Sequence, residues 1–261
     1  MQHTESSFKG LKDFKIYYQS WMPDKSPKAI LMVSHGFGEH SGRYGNLVKQ
    51  LVPAGYAIYA LDHRGHGRSD GQRVHVDDFN EFVIDLKTFF NLIRKENPKD
   101  KIFLIGHSMG SVISLAYTIE YQSELEGMVT SGAGLNKPGD PPMPPRPPNS
   151  PLPTAMLSRD PAVIKAYEND PLVYHGPIPG NFAMRGMLDK LYDKVPGITL
   201  PTLTMAGDGG PDGAKARVLY AQIGSKDKTL KVYPGLLHEI FNEPEHPQVI
   251  ADLETWLNAH L

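Results

Sequence analysis

The chain contains no cysteine, so neither disulfides nor thiolate metal sites contribute to its fold or chemistry. It also lacks a surplus of either charge. Its 27 Lys and Arg stand against 29 Asp and Glu, whereas binding to a phosphate backbone normally shows as a basic surplus, so nucleic acid is not an expected partner. No apolar run approaches the roughly 20 residues that cross a bilayer. The opening MQHTESSFKG is polar and lacks the apolar stretch of a signal peptide. The expectation left by these absences is a soluble, cytoplasmic globular protein. Its 261 residues suit one large α/β domain or two small ones, and they are enough to bury a sizeable core.

What is present alternates. AILMV (29–33), YAIYAL (56–61), IFLI (102–105), LTM (203–205) and LKVY (230–233) read as strands. Several are apolar at consecutive positions, as strands covered on both faces should be. Between them, residues 78–93 place Phe79, Phe82, Val83, Leu86, Phe89, Phe90 and Ile93 at helical spacing. Residues 246–257 do the same, with Pro247 suited to a first helical turn. Strands alternating with helices predict an α/β fold, a mostly parallel sheet with helices on both faces. Ligand sites in such sheets gather at the carboxyl ends of the strands.

One segment breaks the alternation. NKPGDPPMPPRPPNSPLP (136–153) holds nine prolines, which disfavour helix and cannot sit in an interior strand. It reads as an extended, partly polyproline loop standing in for part of a cap over a substrate site. A plain linker, or a ligand for a proline-binding domain, is the alternative. The expected division is a core of residues 1–135 and 196–261 and a reduced cap of residues 136–195.

Three stretches carry chemistry. Gly106-His107-Ser108-Met109-Gly110 is a G-x-S-x-G between a strand and a helix. That context exposes the serine hydroxyl on a sharp turn, beside the amides and positive dipole end of a helix. His35-Gly36-Phe37-Gly38 follows an earlier strand. The amides of Phe37 and Met109 are therefore candidate oxyanion donors, and His35 is expected to brace its loop rather than act as a base. His238, between the last strand and the last helix, is better placed as the base than His246 or His260. The glycine-rich GDGGPDGAKA (207–216) is no phosphate loop, because Ala214-Lys215-Ala216 stands where Lys-Ser/Thr is needed. HRGH (63–66), taken with His35 or His40, lacks carboxylate or thiolate partners at ligand spacing. Neither metal nor cofactor is expected.

These motifs together resemble the monoacylglycerol lipases of the α/β-hydrolase superfamily. The resemblance rests on GHSMG, HGFGEHSGRY (35–44), LDHRGHGRSDGQR (61–73), SRDPAVIKAYENDPLVYHG (158–176) and GSKDKTLKVYPGLLHEIFNEPE (224–245), in this order and over nearly the whole chain. It implies a serine carboxylesterase that cleaves a monoacylglycerol to glycerol and fatty acid. It also implies a cap over an apolar acyl tunnel and peripheral contact with membranes. Met156, Leu157, Ile178, Phe182, Met184 and Met187 are the cap residues expected to meet an acyl chain, with ordinary packing the alternative for each. A short-chain esterase or lysophospholipase, or a disarmed ligand-binding relative, are the competing functions.

The acid is where the chain departs from the pattern. In the family, strand seven ends in a glycine followed three positions later by the triad aspartate, and counting from Gly207 that position is Gly210. Asp208 is the first candidate, if the loop was shortened just after Gly207. Asp212 is the second, although it also suits the cap of a helix beginning near Ala214. An absent acid is the third reading, and such a loop reads as diverged or engineered.

Overall fold

The computed structural model describes residues 1–136, 139, 150–178 and 187–261. Its centre is an eight-stranded sheet in the order β1-β2-β4-β3-β5-β6-β7-β8. The strands are β1 (Gln2–Lys9), β2 (Lys15–Met22), β3 (Ile30–Ser34), β4 (Ala57–Leu61), β5 (Ile102–His107), β6 (Gly127–Ser131), β7 (Thr202–Gly207) and β8 (Lys228–Tyr233). The β1–β2 and β2–β4 pairs are antiparallel and all later pairs are parallel.

The two-residue period of each strand divides its apolar side chains between two cores. Ile30 and Met32, Ala57 and Tyr59, and Ile102 and Leu104 face one cluster. Leu31 and Val33, Ile58 and Ala60, and Phe103 and Ile105 face the other. Helices α1 (Gly45–Leu51) and α7 (His246–Ala259) cover the second cluster. Helices α2 (Asn80–Glu96), α3 (Met109–Tyr121) and α6 (Asp212–Gln222) cover the first. The stripe expected on α2 is buried from Phe82 to Ile93, and Pro247 lies in the first turn of α7.

β1 and β2 were not legible as strands. β1 is an edge strand exposed at every residue except the half-buried Phe8, so it has no apolar face to alternate. β2 buries the polar Gln19 and Ser20 among its aromatics.

The chain steps outward from β3 to β4, then returns to the other side of β3 for β5. Connections diverge there and open a crevice at the carboxyl ends of the strands. The long connection between β6 and β7 carries α4 (Pro161–Asn169) and α5 (Met187–Tyr192). Asp160 caps α4 by accepting from the Ala162 N–H at 2.8 Å, and Leu157, Tyr167 and Val173 form a small nucleus of their own. Most of the proline-rich stretch lies outside the described residues. Among the described residues, no helix is long and apolar enough to cross a membrane.

Candidate active site

β5 runs directly into the turn that carries Ser108, whose backbone sits at φ 53°, ψ −119°. A non-glycine residue there stores strain of order 1–3 kcal/mol, so its surroundings must over-determine it. They do so by sterics and hydrogen bonds. A Cβ on Gly110 would lie 1.9 Å from the Ser34 carbonyl oxygen, so only glycine lets α3 pack onto the end of β3. The Ser108 N–H donates to the Ser131 carbonyl at 2.8 Å, and the Ser111 hydroxyl donates to the Gly106 carbonyl at 2.8 Å. The result is a serine side chain held above the sheet beside the first amides of α3, which have no acceptor within the helix.

The loop after β3 lies against this serine. A Cβ on Gly36 would be 3.2 Å from the Ser108 Cβ. His35 fixes the loop: its Nδ1–H donates to the Gly36 carbonyl at 2.7 Å, and its Nε2 accepts from the His63 N–H at 2.8 Å. Burial, and then the neighbouring His63 and His66 rings, hold its pKa well below the ordinary histidine value. His35 is thus a neutral brace. Phe37 follows, its ring edge-on to His66 and Tyr174.

From the far side comes His238, in the loop between β8 and α7. Its Nε2 accepts from the Ser108 hydroxyl at 2.9 Å, and its Nδ1–H donates to Asp212 Oδ2 at 2.7 Å. Asp208, the first-choice acid, is displaced from this array. It follows the last residue of β7, where pairing with β8 turns it toward the β8 exit. Its N–H donates to the Tyr233 carbonyl at 3.1 Å, and its carboxylate accepts from the Gly235 N–H at 2.6 Å. The chain then turns through Gly209, Gly210 and Pro211, and α6 opens at Asp212 rather than near Ala214. The Asp212 side chain makes no helix cap; it reaches His238 from the first turn of α6, where the helix dipole favours a carboxylate. The register of α6 is fixed from behind, because the Leu135 N–H donates to the Lys215 carbonyl at 3.2 Å. His246 and His260 are engaged at the two ends of α7, on the Glu243 and Trp256 carbonyls.

The array is electrostatically biased. Burial on its own pushes the His238 pKa down. The hydrogen bond and charge of Asp212, with Glu239 and Glu39 behind, outweigh it and raise the value above 6.5. The His107 ring lies 4.9 Å from the His238 ring. Burial first, then the charge of His238, keeps His107 neutral. A hydroxyl, an imidazole and a carboxylate in this chain can draw the serine proton and stabilise the imidazolium that results.

The chain is also similar to known proteins. Residues 25–245 match the family model described as serine aminopeptidase, S33. The chain is 38% identical to the monoacylglycerol lipase of Mycolicibacterium smegmatis, over 99% of this chain and 98% of that one. The chain belongs to the monoacylglycerol lipase family of α/β-hydrolases. It is also 33% identical to the monoglyceride lipase of Rattus norvegicus, over 94% of this chain and 88% of that one. The crystal structure of the Paleococcus ferrophilus monoacylglycerol lipase superposes with a TM-score of 0.77 at 29% identity, covering both chains completely.

The acid does not fall where the resemblance to monoacylglycerol lipases led it to be expected. Asp212 stands five residues after Gly207, in the first turn of α6, whereas the expected position, three residues after it, is Gly210. The candidate acyl-contact residues divide. Leu157 is buried against Tyr167 and Val173, so its side chain serves packing within the connection. Met156 is half-buried beside it and offers its carbonyl to the His238 N–H at 3.2 Å. Ile178 and Met187 are half-buried on the same cluster as Phe37 and Met109. Phe182 and Met184 lie outside the described residues. Sequence reasoning gave no role to three charged residues packed behind the array: Glu39, Arg43 and Glu239. All three sit in motifs quoted for the resemblance, and only the fold shows that they meet.

Proposed function

We propose that this protein hydrolyses monoacylglycerols to glycerol and fatty acid through an acyl-enzyme on Ser108. The observation that carries the reading is the continuous hydrogen-bonded array Ser108–His238–Asp212, at 2.9 and 2.7 Å, in a chain 38% identical to a monoacylglycerol lipase. Ser108 Oγ attacks the ester carbonyl carbon while its proton passes to His238 Nε2. The carbonyl oxygen takes the negative charge, facing the amides of Phe37 and Met109. Collapse breaks the acyl C–O bond, and His238 returns the proton to the departing glycerol oxygen. A water then attacks the acyl carbon with His238 again as base, and Ser108 leaves with its proton restored. Asp212 holds the Nδ1–H tautomer and faces the imidazolium. Residues 136–195 act as the cap, and Met156, Ile178 and Met187 contribute to the acyl path. No metal or cofactor has a step in this scheme. A cytoplasmic site with peripheral contact to lipid surfaces fits a substrate of this class.

The test is glycerol release from 1-monoacylglycerols of increasing chain length. Ser108→Ala should lose about 10⁶-fold in turnover, the scale of nucleophile removal in serine hydrolases. A wild-type rate no higher than that of Ser108→Ala would overturn the reading in favour of a binding protein. Faster cleavage of short acyl esters or lysophospholipids would move the substrate class instead.

A further inference from the structure

Behind His238, the loops that build the site share one buried charge cluster. Arg43 belongs to the short helical turn Ser41–Tyr44, and its side chain is only 8% exposed. Its Nη2 donates to Glu239 Oε2 at 2.7 Å, and its Nε lies 3.3 Å from Glu39 Oε2. The guanidinium also sits 4.7 Å from the centre of the Tyr167 ring on α4. Each partner holds a different part of the site. Glu39 accepts from the Gly36 N–H at 2.6 Å and from the Tyr44 hydroxyl at 2.8 Å, so it fixes the backbone immediately before Phe37. Glu239 is the residue after His238, and it also accepts from Asn242 Nδ2 at 2.9 Å. Its own N–H donates to the Leu157 carbonyl at 2.7 Å.

Two nearly buried carboxylates this close together are costly unless a cation lies between them. Burial and the charge of Glu239 push the Glu39 carboxyl up, and Arg43 opposes them. Removing Arg43 would leave the two loops repelling each other. One oxyanion donor, the Phe37 amide, sits on one loop and the base on the other, and a displacement of about 1 Å between reacting groups can cost about 100-fold in rate.

We infer that Arg43 is a positioning residue that, by bridging Glu39 and Glu239, holds the Gly36–Phe37 backbone and His238 at a fixed spacing around Ser108. The inference rests on the reading of Ser108 as the nucleophile. It deepens that reading by assigning work to a residue whose side chain, among the described residues, donates to Glu239 rather than to the serine or the imidazole.

A pH profile separates this role from simple structural support. The charged and titratable groups facing His238 are Asp212 from α6, His107 from the end of β5, its neighbour Glu239, and Glu39 from the β3 loop, with Arg43 completing the set from behind, on Glu39 and Glu239. A cation lost from this set favours the imidazolium, so the acid limb of kcat/KM moves to higher pH. An anion lost moves it to lower pH.

The experiment compares wild type, Arg43→Met, Arg43→Lys and Glu239→Gln on a monoacylglycerol and on a short chromogenic ester, with the rate of fluorophosphonate labelling in parallel. Arg43→Met is expected to lower kcat about 10- to 100-fold on both esters. Its KM should stay within about threefold of wild type, its labelling should slow, and its acid limb should rise. Glu239→Gln, nearly isosteric, should shift the acid limb downward. Should Arg43→Met fail to fold, Arg43→Lys and Glu239→Gln carry the test, the lysine variant being expected to keep the wild-type acid limb but not the full kcat. A folded Arg43 variant with wild-type kcat and an unmoved acid limb would overturn the inference. So would an effect confined to KM for the monoacylglycerol, which would place Arg43 on the leaving alcohol. A wild type inert toward both esters would sink the hydrolase reading instead, and the labelling rates would then decide on Arg43.

Discussion

At the end of β5 there is no room for a methyl group, since a Cβ on Gly110 would lie 1.9 Å from the Ser34 oxygen. Two strands away, in the loop three residues past the end of β7, a Cβ on Gly210 would meet nothing within 4 Å. The serine turn is fixed by close packing of backbone on backbone, and the residues that permit it, Gly106 to Gly110, are contiguous in the sequence. The acid loop is tight where it leaves the sheet, a Cβ on Gly207 lying 2.1 Å from the Leu236 oxygen, and open only at its tip. Its outcome is set by where α6 starts and by what draws each aspartate: the Gly235 amide for Asp208, the His238 imidazole for Asp212. Strict local sterics keep a motif recognisable. A loop governed by long-range partners can change its spacing and still deliver the same group.

Four substitutions probe this contrast. Asp212→Asn should be the most damaging, cutting kcat by about 10⁴, the loss seen when a serine protease acid becomes an amide; turnover by a variant that binds substrate normally would check it. Gly110→Ala should follow, with a loss of at least about 3 kcal/mol of stability from backbone overpacking, read as a fall in the denaturation midpoint. Asp208→Asn should change kcat by less than about threefold and stability by under about 1 kcal/mol, because the amide oxygen can still accept from Gly235. If it instead matched Asp212→Asn, the acids would have to be reassigned. Gly210→Ala should be the mildest, leaving kcat unchanged and raising stability by about 0.4–1 kcal/mol through the unfolded chain. A destabilised Gly210→Ala would mean that the acid loop is as tightly specified as the serine turn.

The same contrast explains what could be read from sequence. The strands β3, β4, β5, β7 and β8, the stripe of α2, Ser108 and His238 depend on local periodicity or on a motif in register, and they were legible. β1 was not, because a solvated edge strand carries no apolar signal. The choice between Asp208 and Asp212 was left open because it turns on the first residue of α6, and helix boundaries are the least certain part of any pattern. Glu39, Arg43 and Glu239 drew no role from the sequence. Nothing in their spacing says that residues 39 and 239 approach one guanidinium.

One contact has a consequence in time rather than in space. The amides of His238 and Glu239 are tied to the carbonyls of Met156 and Leu157, so they can exchange with deuterium only when that stretch of the β6–β7 connection lifts away. Their exchange rates would clock how often the base loses its support. A ligand that slows those two amides, and not the neighbouring ones, would show that occupancy of the crevice is felt by the connection above it.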